Sequence, residues 1–181
     1  MKNYFLIILF ISSISISYAQ QSKFEKIYVN KKKSSISYSM KHPLHTWNAI
    51  SNEVSSIILL DREKMDIKEL AVVVKIASFD SKNSNRDSNM IEVTEALKFP
   101  NVSLSSTAIS QRNDKLIVKG ILKFHGVSKE IIFEVEKEIL KNEIKITGDF
   151  SILMTDFEIK PPTLLGIATN ENIDLSFTVF Y

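Results

Sequence analysis

Apolar and polar residues alternate along most of this chain, and this alternation constrains the fold more than any other feature of the sequence. The pattern is clearest in residues 172–179, where the apolar set is Ile173, Leu175, Phe177 and Val179. Successive side chains of a β-strand point to opposite faces, so a period of two indicates a strand with one buried face. The sequence therefore predicts an all-β fold.

The same alternation recurs in seven other segments. They span residues 35–40, 54–60, 69–76, 102–109, 116–124, 130–136 and 144–152. Together they predict about eight strands, each apolar on one side and polar on the other. Such strands bury their apolar faces when one sheet closes on itself or when two sheets pack together, and the residues alone are compatible with both arrangements.

Three short segments predict hairpin turns between successive strands. They are Arg112-Asn113-Asp114, Gly126-Val127-Ser128 and Lys141-Asn142, which are rich in residue types that favour turns. Neighbours in the sequence are therefore expected to pair antiparallel. The adjacent Pro161 and Pro162 predict an irregular connection before the last strand, because proline has no N–H to donate inside a sheet.

One segment, residues 81–99, interrupts this pattern and predicts a short helix. Its apolar face consists of Met90, Ile91, Thr94, Ala96 and Leu97. Ser84 or Asn85 is the expected N-cap, and Pro100 is expected to end the helix. A polar helical segment between long strands can cover one end of a sheet or barrel, where ligands usually enter.

The first nineteen residues predict a secretory signal peptide. Lys2 precedes a short apolar stretch, and Ser17-Tyr18-Ala19 is a small-x-small cleavage site. Residues 20–181 then form one domain, which is expected to be periplasmic or secreted after cleavage. The sequence contains no Cys, so this domain depends on apolar burial and not on disulfides.

Several of these motifs resemble the YceI family of bacterial polyisoprenoid-binding proteins. The resemblance rests on Ser78-Phe79-Asp80, Arg86-Asp87 followed by Met90, Phe99-Pro100, and Lys119-Gly120-Ile121-Leu122-Lys123-Phe124-His125-Gly126-Val127-Ser128-Lys129. It runs from about Lys33 to the C-terminus. It implies an antiparallel lipocalin-like barrel of about eight strands with one short helical insertion, enclosing an apolar channel for an isoprenoid chain. Asn89 stands where the family usually has His, so the chain is identified as a divergent member.

A channel of this kind would be lined by the apolar faces of the strands. The expected lining residues are Ile36, Tyr38, Met40, Leu70, Val72, Val74, Leu116, Val118, Leu122, Phe124, Ile131, Phe133, Val135, Leu175, Phe177 and Val179. An eight-stranded barrel is just wide enough for side chains to fill it or to leave room for one slim ligand. The residues alone leave both interiors open, and the family resemblance favours the hollow one.

Polar and aromatic residues are expected at the rim of the channel, where a headgroup would lie. They are His42, His45, Trp47, Arg86 and Asp87. Arg86 can pair with a phosphate or quinone oxygen, although a structural ion pair with a neighbouring aspartate is an alternative. The two histidines could share a metal ion, but no third or fourth ligand accompanies them, so no metal site is predicted.

The function expected from these features is lipid binding without catalysis. The sequence has no Cys nucleophile, no Gly-x-Ser-x-Gly elbow and no phosphate-binding glycine loop. The expected partner is an isoprenoid or other long-chain lipid, with transient membrane-surface contact, no nucleic acid, and no cofactor beyond a bound lipid. A monomer and a homodimer are both compatible with the sequence. A ligand-free interaction domain and a small outer-membrane barrel, suggested by the terminal Val179-Phe180-Tyr181, are the alternatives.

Overall fold

The computed structural model describes residues 23–181, and these form a β-barrel with a helix at one end. The barrel strands are β1 (Phe24–Tyr28), β2 (Ser35–His42), β3 (His45–Ser51), β4 (Val54–Asp61), β5 (Asp66–Lys75), β6 (Asn101–Arg112), β7 (Lys115–Phe124), β8 (Val127–Ile139), β9 (Ile144–Leu153) and β12 (Asn172–Phe180). A small hairpin of β10 (Thr163–Leu164) and β11 (Ile167–Ala168) precedes the last strand. Helix α1 (Ser84–Val93) follows a 3-10 turn at Ile76–Ser78, and a second 3-10 turn spans Thr155–Phe157.

The barrel strands pair antiparallel throughout the described part of the chain. Their order is β1-β4-β5-β6-β7-β8-β9-β12-β2-β3, so the six strands from β4 to β9 are neighbours in both sequence and space, as predicted. The last strand, β12, returns to pair with β2 near the beginning of the domain. The prediction of an all-β, antiparallel, lipocalin-like barrel with one helical insertion is confirmed.

The sheet curls until its two halves meet at a seam. The Val29 N–H donates to the Ser56 carbonyl on β4 at 3.0 Å, and the next N–H, that of Asn30, donates to the Phe180 carbonyl on β12 at 2.7 Å. The seam continues where Ile50 on β3 forms an antiparallel bridge with Asp80. These hydrogen bonds satisfy backbone groups that would otherwise be left at sheet edges.

The strand count differs from the prediction because β1 and β3 were missed. Strand β3 lies where a rim loop was expected. Trp47 and Ala49 face inward as in an ordinary half-buried strand, but the pattern is inverted at the end of β3. Ser51 is fully buried, with its Oγ bonded to Ser78 Oγ at 2.7 Å, whereas the neighbouring Ile50 is exposed. A polar residue facing inward and an apolar one facing outward remove the signal on which the prediction depended.

Along the predicted strands the apolar faces point inward and the polar faces point to solvent. On β7, Leu116, Val118, Leu122 and Phe124 are buried. Cross-strand ion pairs occupy the outer face, including Lys119 with Glu130 at 3.1 Å and Lys115 with Glu134 at 3.6 Å. On β7 the inward direction of the apolar face is therefore set by core burial.

Helix α1 is shorter than the predicted segment, and its N-cap was placed wrongly. The cap is Asn83, whose side chain accepts a hydrogen bond from the Arg86 N–H at 3.1 Å, and not Ser84 or Asn85. The helix ends at Val93, well before Pro100, and the chain continues through turns in which Glu95 adopts a positive φ of 46°. No helix within residues 23–181 combines the length and the apolarity needed to cross a bilayer.

The predicted turn between β7 and β8 is present one residue earlier than expected. His125 and Gly126 both adopt positive φ, at 50° and 80°, and Val127 already belongs to β8. Glycine is required here for a second reason, because a Cβ on Gly126 would lie 2.7 Å from the Phe99 ring. The turn thereby fixes the segment after α1 against the end of the barrel.

Candidate ligand-binding cavity

The barrel interior is hollow. Its cavity has an empty volume of about 1630 Å³, including the space at its open mouth, and its walls come from the inner faces of the strands together with α1. The core residues around it are buried against each other and leave this space open along the barrel. Of the two interiors compatible with the sequence, the structure therefore has the open one.

Fifteen of the sixteen predicted lining residues line this cavity, and Ile131 is the exception. Ile131 lies opposite Gly120 in the β7–β8 register and is half-buried against the core. The alternation along β8 identified its face correctly. It could not show where along the strand the wall of the cavity begins.

Many lining residues were absent from the predicted set. The apolar ones are Ile58, Ile67, Ile76, Phe79, Met90, Val93, Val102, Leu104, Ile109, Ile146, Phe150, Ile152, Met154, Pro162, Ile173 and Tyr181, and the polar ones are Asn89, Thr94 and Ser103. The residues on β9 and β12 could have been predicted, because they belong to the apolar faces of segments whose period-two alternation had already identified them as strands. For residues of α1 and of the loops, period two gives no such signal.

Three phenylalanines from neighbouring strands form an aromatic cluster in the cavity wall. The Phe133 ring stacks on Phe150 with centroids 4.6 Å apart, and both rings meet Phe177 edge-on at 6.2 and 6.4 Å. Gly148 makes room for this arrangement, because a Cβ there would lie 2.7 Å from the Phe177 ring. The cluster gives this part of the wall a flat, rigid, apolar surface.

The cavity reaches the surface at a mouth formed by Trp47, Arg86, Asn89 and Pro162. All four line the cavity and are half-buried or exposed. The Arg86 guanidinium lies over the Trp47 ring, with its Cζ 5.6 Å from the ring centroid. This cation–π contact joins α1 to β3 across the mouth and brings a positive charge to the cavity entrance.

Arg86 has no carboxylate partner among the residues that the structure describes. Its guanidinium donates only a long hydrogen bond, 3.5 Å, to the Ser81 carbonyl. Asp87 accepts from the Ser81 N–H at 3.1 Å and does not line the cavity, and Asp80 pairs with Lys82 at 2.7 Å. The alternative of a structural ion pair for Arg86 is therefore not realised, and its charge faces the mouth.

The two predicted rim histidines lie beside the mouth but outside the cavity lining. His42 is buried, its Nδ1 accepts from the Leu44 N–H at 3.2 Å, and its Nε2 donates to the Ile167 carbonyl at 3.1 Å. His45 is exposed and its ring lies between those of His42 and Trp47. Both nitrogens of His42 are thus satisfied by the backbone, and residues 23–181 contain no cluster of three or more metal-ligating side chains.

Tyr38 supplies a buried polar group near the mouth. Its ring meets Phe79 edge-on at 5.3 Å, and its hydroxyl lies 3.3 Å from Met90 Sδ on α1. Burial raises the pKa of the Tyr38 phenol to about 12, with a further contribution from the negative charge of Asp87. The hydroxyl is protonated at neutral pH, as in any tyrosine, and it donates to Met90 Sδ.

The polar groups of the lining are unevenly distributed. Arg86 and Asn89 on α1, with Thr94 just after it, lie on the helix side, whereas the strands contribute almost only apolar side chains. Such a cavity can shelter a long apolar tail from water and hold a polar or charged end at its mouth.

Comparison with known proteins agrees with this architecture. A sequence model of the family described as YceI-like domain matches residues 28–180. A UPF0312 protein of Photorhabdus laumondii is 24% identical over 104 residues, covering 56% of this chain and 54% of that relative. The chain thus spans about half the length of the curated relatives it matches.

Two solved structures share the fold. BcnA of Burkholderia cenocepacia superposes with a TM-score of 0.76 at 18% identity, covering 84% of this chain and 99% of that chain. A polyisoprenoid binding domain from Saccharophagus degradans gives 0.69 at 14% identity, covering 88% and 97%. The match over residues 28–180 includes every barrel strand but β1, together with α1, and the chain belongs to the YceI-like domain family.

Proposed function

We propose that this protein is an exported carrier that binds one isoprenoid-type lipid, a polyprenyl or quinone, with the tail in the barrel cavity and the headgroup at the mouth. The observation that carries the proposal is the apolar cavity inside the barrel, which is lined by the inner faces of the strands and opens at the mouth. The polyisoprenoid binding of the Saccharophagus degradans domain, which has the same fold, supports this choice of ligand. The proposed action is passive sequestration or transfer, with no chemical step.

The energetics of tail burial set a minimum length for the ligand. Each isoprene unit contributes about 3 to 4 kcal/mol when fully buried, and association costs about 4 to 15 kcal/mol. Micromolar binding requires about 8 kcal/mol net. A tail of about three to eight units is therefore required, and shorter terpenes are expected to bind weakly.

The outer surface of the barrel supports a carrier surrounded by water over an outer-membrane barrel. The face of a membrane barrel that contacts lipid is apolar, with aromatic residues at both interfaces. Here the outward residues of the central strands carry charges, including the pairs Lys115–Glu134 and Lys119–Glu130. Charged side chains in these positions would be costly within hydrocarbon.

Export to the periplasm or beyond remains part of the proposal. It rests on the signal peptide predicted for residues 1–19, which lie outside the described residues. The oligomeric state is not part of the proposed mechanism, because the cavity is complete within one chain.

Mass spectrometry of organic extracts tests the proposal directly. The protein is exported with its own signal peptide and purified without detergent. Its organic extract is compared with that of an unrelated exported protein of similar size. We expect an isoprenoid lipid in near-stoichiometric amount. An extract without any long-chain lipid, together with failure to bind added polyprenyl phosphate or quinone, would identify an empty interaction domain instead.

Arg86 is expected to determine the preference for the headgroup. Because it faces the mouth without an ion-pair partner, Arg86→Ala should reduce binding of an anionic polyprenyl phosphate about tenfold. Binding of a neutral quinone of equal tail length should fall much less, since its oxygen accepts a weaker hydrogen bond. Competition between the two lipids measures this ratio. Arg112→Ala, at the exposed end of β6, is the control. An unchanged ratio in Arg86→Ala would contradict the assigned role.

A further inference from the structure

Four exposed aliphatic side chains form a projection beside the mouth, which we call the lip. It consists of Leu164, Leu165 and Ile167 in the β10–β11 hairpin and Leu44 in the β2–β3 turn. Leu165 is 83% exposed and Leu44 is 62% exposed. Side chains of this size are normally buried, and a cluster of them at one place on a surface indicates an interaction site.

The lip is a defined structure held by backbone hydrogen bonds. Leu165 and Gly166 form the hairpin turn with positive φ values of 52° and 77°. The hairpin is fastened to the β2–β3 turn by the bond from His42 Nε2 to the Ile167 carbonyl and by that from the Asn170 N–H to the Lys41 carbonyl at 2.8 Å. The two tips therefore project together, and a Cβ on Gly166 would meet no atom within 4 Å.

The lip is continuous with the mouth of the cavity. Pro162, which lines the cavity, closes the base of the hairpin by accepting a hydrogen bond from the Thr169 N–H at 2.9 Å. On the other side, the rings of His42, His45 and Trp47 form a row from the hairpin to the mouth. Any surface that covers the lip consequently faces the cavity entrance.

The charge pattern of the lip resembles that of a membrane-inserting loop. Residues 161–169 contain no charged side chain, and Lys160 and Lys41, both exposed, lie at the base of the two tips. Lysine at such a position keeps its ammonium group at the level of anionic headgroups while its aliphatic stem lies along apolar surface. The order from tip to base is thus apolar, then cationic.

The small size of the lip excludes a stable protein partner of ordinary kind. A specific interface buries about 800 Å² on each partner and uses about 20 to 30 residues a side. The lip offers four apolar side chains on two narrow tips. A bilayer needs no complementary shape and takes up isolated aliphatic side chains together with flanking lysines.

We propose that the lip inserts into the surface of an anionic phospholipid bilayer and holds the cavity mouth against the membrane. The tail of a lipid then passes between the acyl chains and the cavity without crossing water. This role depends on the proposed lipid-carrier function, but insertion itself requires only the lip. Leu44 and Leu165 provide the apolar tips, and Lys41 and Lys160 provide the attraction to headgroups.

Vesicle flotation tests the proposal with the purified protein stripped of bound lipid. The probe is vesicles of phosphatidylcholine and phosphatidylglycerol, and the variant is Leu44→Ser combined with Leu165→Ser. Both side chains are exposed, so the fold should be retained. Ile139→Ser is the matched control. Ile139 is also exposed, but it pairs with Ile144 at the start of β9, whereas the lip lies beyond the other end of that strand.

We expect wild-type protein and Ile139→Ser to float with the vesicles, and the fraction of the double variant that is bound to fall about tenfold or more. The double variant should retain added polyprenyl lipid, since neither residue lines the cavity. Equal flotation of the double variant, or no flotation of wild type, would overturn the proposal. So would a concentration-dependent dimer that the double variant abolishes, because the lip would then bind a second copy. Flotation that depends on the lip, without any lipid uptake, would overturn the carrier function alone.

Discussion

Replacing Phe133 with aspartate is expected to abolish lipid retention and to lower the free energy of unfolding by about 3 to 5 kcal/mol. Phe133 is buried in the cavity wall, stacked on Phe150 and in contact with Phe177. The substitution removes this packing and places a carboxyl group in an apolar wall. Phe177→Asp, in the same cluster, should also abolish lipid retention. Lipid content after extraction and urea unfolding measure the two effects.

The neighbouring residue on β8 provides the matched control. Ile132 is 63% exposed on the opposite face of the strand, so Ile132→Asp should change the free energy of unfolding by no more than about 0.5 kcal/mol and should leave lipid retention unchanged. The two variants introduce the same charge one residue apart. Equal lipid retention in Phe133→Asp and Ile132→Asp would show that the cavity does not hold the ligand.

A variant that fills the cavity with a larger side chain tests lipid binding without the loss of stability expected for Phe133→Asp. Val72 lines the cavity and is half-buried, so Val72→Phe extends into open space and does not overpack a closed core. We expect this variant to unfold at a denaturant concentration close to that of wild type while retaining much less lipid. Wild-type retention in a folded Val72→Phe variant would argue that the tail lies elsewhere.

The strand faces could be predicted from the sequence because burial imposes period two on them. Alternation identified Phe177 and Val135 as members of the apolar faces of their strands, and both line the cavity. The same rule failed for β3, where buried Ser51 is satisfied by a hydrogen bond with Ser78 and exposed Ile50 lies at the seam. A satisfied polar group inside a barrel breaks the pattern without destabilising the fold.

The open interior and the residues of the mouth depend on how distant parts of the chain are arranged, and the alternation of apolar and polar residues does not predict this arrangement. Whether a barrel of this size is filled or hollow depends on strand number, tilt and shear. The contact between Arg86 and Trp47 joins residues 39 positions apart through the placement of α1 over the barrel end. The sequence identified Arg86 as a rim residue but left open an ion pair with a neighbouring aspartate. Only the structure rejects that ion pair, because the Asp87 carboxylate accepts from the Ser81 N–H instead.

The stability of this protein is expected to fall steeply between about pH 10 and pH 12, because two tyrosines are buried in the folded state. Burial raises the pKa of both Tyr38 and Tyr181 to about 12. In the unfolded chain a tyrosine has a pKa of about 10. Below pH 10 the phenols are protonated in both states. Between the two values only the unfolded chain ionises, so the free energy of unfolding decreases as pH rises.

Tyr181 should contribute strongly, since its hydroxyl must act as a donor. Ser56 Oγ donates to the Ala71 carbonyl at 2.9 Å, so the 2.5 Å contact between Ser56 Oγ and Tyr181 Oη requires the phenol proton. An ionised phenol would lose this hydrogen bond in a buried site. A shift of about two pKa units corresponds to about 2 to 3 kcal/mol for each tyrosine, a large share of the stability of an ordinary domain.

Phenylalanine variants isolate this effect from the titration of lysines in the same range. Tyr181→Phe should cost little at pH 8, because Ser56 keeps its bond to Ala71, and should remove about 2 to 3 kcal/mol of the decrease between pH 8 and pH 12. Tyr28→Phe, at a side chain that is 71% exposed, should leave the decrease in place. Urea unfolding of the three proteins across this range gives the comparison. A decrease of the same size in Tyr181→Phe as in wild type would mean that the buried phenol of the last residue does not govern alkaline unfolding.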